Sequence, residues 1–120
     1  MNLRSLSSSL LLASALLAAP PAKDPLKDVP QFSGDLQNYW TTVCARCHGA
    51  NGNGRDPNGK QLPDAGFDFT DSRKANRKKD SDWVKTTLDG KEKMPAFKAR
   101  MTEADARKFL PLMRAFAANR

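Results

Sequence analysis

At 120 residues the chain has room for one small domain. Its two cysteines lie three positions apart, so a disulfide between them would close only a tiny loop and restrain little chain entropy. Twenty Lys and Arg against 13 Asp and Glu give a net charge of +7, which favours acidic partners, but the basic residues are not interleaved with aromatics and a base-stacking nucleic-acid platform is excluded.

Residues 1–19 carry one basic side chain, Arg4, and then an apolar stretch from Leu10 to Ala19 interrupted only by Ser14. Small residues follow, Ala18 and Ala19 and then Pro20, Pro21 and Ala22. This order describes a secretory signal peptide, with cleavage expected between residues 18 and 22. The apolar run falls well short of the roughly 18 residues that suggest a membrane span; the rival reading is an uncleaved N-terminal anchor. Residues 20–32 are proline-rich, have no helical period and read as a linker or an arm laid over the domain. The domain itself is expected over residues 33–120.

Leu36, Tyr39, Trp40 and Val43 recur at helical spacing and predict a helix over residues 35–47, with Gly34 and Asp35 at its start. Residues 49–66 hold five glycines, two prolines and three asparagines and form a long loop. Long loops in small domains are usually functional, and this one would stay ordered more easily around a ligand. The run FDFTDS, residues 67–72, is too short to carry a sheet alone. Five of the seven residues 73–79 are basic; they read as a solvated loop, with a docking patch for an acidic redox partner as the functional alternative. Ser81 is read as the N-cap of a helix that Gly90 stops. Thr102 caps a longer helix with a stripe of Ala106, Phe109, Leu112, Met113 and Phe116. Pro111 falls inside it and predicts a kink, or a break that restarts the helix with Pro111 in its first turn. The chain thus reads as all-α, three to four helices with long loops and no internal repeat.

Cys44, Cys47 and His48, which are all of the chain's thiols and its single imidazole, fall at i, i+3 and i+4 of the first helix and so share one face. That suits a flat macrocycle held along one edge, with two thiols bonded to its vinyl groups and an imidazole reaching its iron. C-x-x-C-H is the haem c attachment motif. Competing motifs fail: a zinc site would need a fourth ligand, and no second histidine or third cysteine exists. A thioredoxin-like site would need a βαβ pattern, and a calcium loop a run of carboxylates.

With CARCHGANGNG at residues 44–54 and DGKEKMPAF at 89–97, the second beginning to present its Met-Pro 46 residues after His48, the chain resembles the class I c-type cytochromes of the bacterial monohaem kind over roughly residues 33–118. The resemblance implies a small cytochrome c fold around one covalent haem c, with the N- and C-terminal helices crossed. It implies haem thioethers at Cys44 and Cys47, and His48 and Met94 as the axial ligands of the iron. Met101 is the fallback ligand, and Met113 lies on the helix stripe as core. By resemblance the His48 Nδ1–H donates to a proline carbonyl in the following loop, for which Pro63 is the candidate. Trp40 sits where the family packs an aromatic on the C-terminal helix, with Phe109, Leu112 and Phe116 as expected partners. Trp83 is read as core, with lining of the haem pocket as the alternative.

The expected function is a periplasmic monohaem carrier that shuttles single electrons, not an enzyme, with acidic redox proteins as partners and no small-molecule substrate. A monomer is expected, and contact with a membrane only through a redox complex or an uncleaved leader. Two alternatives stand beside it: a haem c subunit tethered in a dehydrogenase or oxidase complex at the periplasmic face of the membrane, with the proline-rich arm as tether, and an open-site haem enzyme or gas sensor.

Overall fold

A computed structural model describes residues 26–118. The leader and the first part of the proline-rich arm lie outside the described residues. Within them the fold is all-α, as expected; in place of strands there are two isolated bridges, Arg55 with Gln61 and Lys91 with Met94.

The first helical rod has three parts: α1 (Leu36–Tyr39), a π-helical turn (Trp40–Cys44) and α2 (Ala45–His48). Asp35 caps it, its carboxylate accepting from the Asn38 N–H at 3.0 Å. The π turn was not legible in the apolar spacing. Ala45 N–H reaches five residues back to the Trp40 carbonyl, and the wider turn frees carbonyls upstream. The Thr41 hydroxyl donates to the Gln37 and Asn38 carbonyls and the Thr42 hydroxyl to that of Asn38, occupying acceptors that the altered register disturbs. Tyr39, Trp40 and Val43 point their burial inward, and Trp40 is only 2% exposed.

Residues 26–32 lie across this rod as an arm. Leu26 is buried, Phe32 meets Tyr39 edge-on at 5.4 Å and Phe109 at 5.2 Å, and the Tyr39 hydroxyl donates to the Pro30 carbonyl.

The basic run 73–79 departs from the expected loop. Asp71 caps a short helix, α3 (Ser72–Arg77), accepting from the Arg73 and Lys74 N–H groups. Ala75, fully buried, faces the core while Arg73, Lys74, Arg77, Lys78 and Lys79 stay exposed. A charge-dense run can be helical when one small apolar residue has a place to pack. The next helix, α4 (Asp80–Asp89), starts before the expected Ser81: Lys79 is its N-cap, and the Asp82 carboxylate accepts from the Lys79 N–H. Asp82 three residues on was the stronger signal. Gly90 ends it, as expected.

The C-terminal segment breaks at Pro111 rather than kinking. The helix α5 (Glu103–Lys108) stops at Phe109, and α6 (Leu110–Ala118) begins with Pro111 in its first turn, where its missing N–H costs nothing. Thr102 caps α5 in a box with Asp105, and those hydrogen bonds hold the Asp105 carboxyl below the usual carboxylate range. The predicted stripe is the buried side: Ala106, Phe109 and Met113 are core, with Leu112 and Phe116 packed against it. Of the ring partners expected for Trp40, Phe116 lies 5.1 Å from it, whereas Phe109 packs on Phe32 and Tyr39.

One tie between helices was not anticipated. Arg114 of α6 donates to the Ala75 and Lys78 carbonyls at 2.7 Å, pairs with Asp80 at 2.8 Å and stacks 3.8 Å over the Trp83 ring. It satisfies the carboxyl end of α3 and fixes α3, α4 and α6 together.

Trp40→Ala, by emptying the most enclosed aromatic position of the first rod, will lower the free energy of unfolding by about 3–5 kcal/mol. Denaturant titration followed by helical circular dichroism measures this.

Candidate functional site

Cys44 closes the π turn and the four residues after it are α-helical. The i, i+3, i+4 relation of Cys44, Cys47 and His48 therefore survives, with the irregular turn confined upstream. Both thiols are free and half-buried. Burial pushes the Cys44 thiol up to about 12, so it is protonated at neutral pH.

Beyond His48 the chain turns back on the helix end. Gly54 N–H donates to the His48 carbonyl at 2.7 Å and Gly66 N–H to the Cys47 carbonyl at 2.9 Å. Residues 66–67 are thereby laid against the imidazole. His48, 9% exposed, has Nδ1 3.2 Å from the Phe67 carbonyl oxygen. A carbonyl only accepts, so Nδ1 carries the proton and Nε2 keeps its lone pair. Burial lowers the His48 pKa, the Phe67 carbonyl acting against that shift; the ring is neutral at neutral pH.

The acceptor is thus Phe67, not Pro63. Pro63 is exposed and sits in the turn that Ala65 N–H closes on the Leu62 carbonyl, one step short of the segment that Gly66 pins to Cys47. Gly66 is required by space alone: a Cβ there would lie 2.6 Å from His48 Nδ1 and 2.9 Å from Nε2. Trp40 and Phe69 flank the imidazole with ring centroids at 5.9 and 5.1 Å. Gly66, Phe67 and Phe69 were missed as site residues; the alternation of two phenylalanines inside a polar, glycine-rich stretch was their signal.

Met94 is half-buried against the edge of the same core. It ends a tight turn in which Lys91 and Met94 exchange backbone hydrogen bonds at 2.9 and 3.0 Å. Gly90 enters this turn at φ 76°, and a Cβ there would lie 2.7 Å from the Met94 carbonyl oxygen. Lys93 pairs with Asp64, joining the Met94 turn to the loop that holds His48 and raising the Lys93 pKa. Met101, the fallback ligand, is core, as is Met113. Trp83 is also core, packed edge-on against Phe69 at 5.2 Å and beneath Arg114.

Two free thiols and a neutral imidazole with an open Nε2, all on one helical turn, are a donor set that fits a covalently bound haem. No cluster of His, Cys, Asp or Glu among the described residues suits a bare metal ion.

Gly66→Ala will force a methyl group into the imidazole and destabilise the domain by about 1–3 kcal/mol, as overpacking does. Denaturant unfolding checks this; Gly66 is not at positive φ, so the loss reports the collision alone.

The family model for the cbb3-type cytochrome c oxidase, subunit III, matches residues 34–110, well over half of the chain. Among solved structures, the KustC0563 c-type cytochrome superposes with a TM-score of 0.56 at 22% identity, covering 68% of this chain and 96% of that one. No curated protein matches. The solved neighbour, at that identity, speaks for the fold, and its fold is the one built here around the C-x-x-C-H turn. The chain belongs to the cbb3-type cytochrome c oxidase subunit III family and is a class I c-type cytochrome that carries covalently bound haem c.

Proposed function

We propose that the protein is a periplasmic monohaem electron carrier with His48 and Met94 as the axial ligands of its iron. The observation that carries this reading is the Nδ1–H of His48 on the Phe67 carbonyl, which orients Nε2 as a ligand on the same turn as two free thiols. When bound, the haem supplies a one-electron couple between ferrous and ferric iron. Cys44 and Cys47 would hold it through thioethers. His48 keeps its proton on Nδ1, so the imidazole need not exchange a proton when the charge of the site changes. Trp40 and Phe69 keep water from the imidazole faces. Met94 offers a neutral, soft thioether that favours the ferrous state and raises the reduction potential. No substrate is transformed.

The exposed basic side chains of residues 73–79 would meet an acidic redox partner, raising the encounter rate. The secretory leader read in residues 1–19 supports a periplasmic location.

A second reading is favoured by the description of the family itself: a haem c subunit held in an oxidase complex. Its test is co-purification with a membrane complex from the native host. No helix among the described residues is long and apolar enough to cross a membrane.

Absorption spectra of the protein matured with haem c test the ligation. Expected are sharp bands on reduction, and a weak far-red band in the ferric form that disappears in Met94→Ala. A high-spin spectrum that shifts with carbon monoxide in the native protein would mean an open iron and favour a gas sensor or peroxide-using enzyme.

The docking face is tested with small oxidants. Oxidation by anionic ferricyanide will slow as salt rises, and Arg77→Glu with Lys79→Glu will slow it several-fold, on the order of 3–10 at low salt, and flatten the salt dependence.

A further inference from the structure

The arm and the Met94 loop meet at Arg100, six residues after Met94. Arg100 Nε donates to the Val29 carbonyl and Nη2 to the Leu26 carbonyl, both at 2.9 Å. The Arg100 carbonyl in turn accepts from Phe32 N–H at 2.9 Å, and the Ala99 carbonyl from Gln31 Nε2 at 2.7 Å. Four hydrogen bonds thus stitch residues 26–32 to residues 99 and 100.

The same arm grips the other side of the site. The Tyr39 hydroxyl donates to the Pro30 carbonyl at 3.0 Å, and Phe32 packs between Tyr39 and Phe109. Tyr39 immediately precedes the turn that ends in Cys44. The arm is therefore a strap from the helix of Cys44, Cys47 and His48 to the segment that follows Met94. Within that segment the N–H groups of Arg100 and Met101 both bond the Phe97 carbonyl, and Phe97 N–H bonds Thr87. A pull on Arg100 is transmitted to Phe97, three residues from Met94. On the other flank of Met94 the Lys93–Asp64 pair is exposed, and such pairs restrain little. Hydrogen bonds from a half-buried guanidinium to backbone carbonyls are stronger.

We propose that Arg100 is a positioning residue for Met94: by clamping the arm onto residues 97–101 it keeps closed the loop that offers the Met94 sulfur to the haem iron. This rests on the His/Met reading above.

The test uses the haem-loaded ferric protein and free imidazole, which binds iron only where Met94 has let go. Its binding is followed by loss of the far-red band. In Arg100→Ala, imidazole will bind about ten-fold more tightly than in the wild type. Arg100→Lys, whose single ammonium replaces the two spaced donors Nε and Nη2, will fall between. Tyr39→Phe removes only the hydroxyl contact with the arm and will tighten binding by roughly two- to three-fold; it carries the test if Arg100→Ala does not fold. Asp71→Ala, which removes the cap of α3, will lower stability and leave imidazole affinity unchanged. Wild-type affinity in both Arg100→Ala and Tyr39→Phe would overturn the proposal. So would Asp71→Ala tightening imidazole as much as Arg100→Ala does at equal loss of stability. The far-red band of the wild type is read first, and its absence would overturn the His/Met reading by itself, before any variant is compared.

Discussion

The carbonyls of Cys47 and His48, at the end of the first helical rod, have no intrahelical partner, and the chain supplies one to each from the loop that follows. Gly66 N–H takes the Cys47 carbonyl and Gly54 N–H that of His48. Those two bonds turn an 18-residue glycine-rich loop from a floppy connection into a hoop closed on the helix end. Everything at the site follows from that closure. Phe67 arrives at the imidazole only because Gly66 is pinned beside it. Phe69 arrives because the alternation of an extended segment places it on the same side, and its N–H is then taken by the Gly52 carbonyl. A ring system of Trp40, Phe67, Phe69, Trp83 and Phe116 grows outward from the histidine.

Much of this was legible in the sequence, and the rest was hidden for identifiable reasons. The attachment turn was legible because covalent chemistry demands fixed residue types at fixed spacing, and Cys44, Cys47 and His48 admit no other arrangement. The apolar stripe of the last helix was legible because burial follows a period. Hydrogen bonds to backbone carbonyls carry no such mark. Any residue has a carbonyl, so nothing in the letters distinguishes Phe67 from Pro63 as the acceptor, or announces that Arg100 and Arg114 hold main chain rather than water. The π turn was hidden for a related reason: it shifts the register by one residue and leaves the same apolar side chains inward. Only the paired hydroxyls of Thr41 and Thr42 hinted at it. The α3 helix was hidden by its charge, since a single alanine was enough to seat it.

A domain of this size buries a modest core, and two of its buried rings, Trp40 and Phe69, lie against the histidine. A haem joined at Cys44 and Cys47 adds apolar surface to this small core. The cofactor is then part of the core as well as the redox centre. The basic side chains of residues 73–79 are exposed on α3 and at the start of α4, where they are available to long-range attraction.

The π turn between Trp40 and Cys44 also makes the first rod a record of length. An α-helix turns by about 100° per residue, so one residue more or fewer rotates all that lies upstream by that angle. Deleting a single residue within the turn would convert the Ala45–Trp40 hydrogen bond to the i→i−4 kind and leave both halves of the rod facing as they do. An uninterrupted α-helix over the same residues would instead swing Leu36 and Tyr39 round the axis, taking the Tyr39 hydroxyl away from Pro30. The extra residue is what lets one helix satisfy two unrelated alignments, one with its cofactor and one with the arm that crosses it.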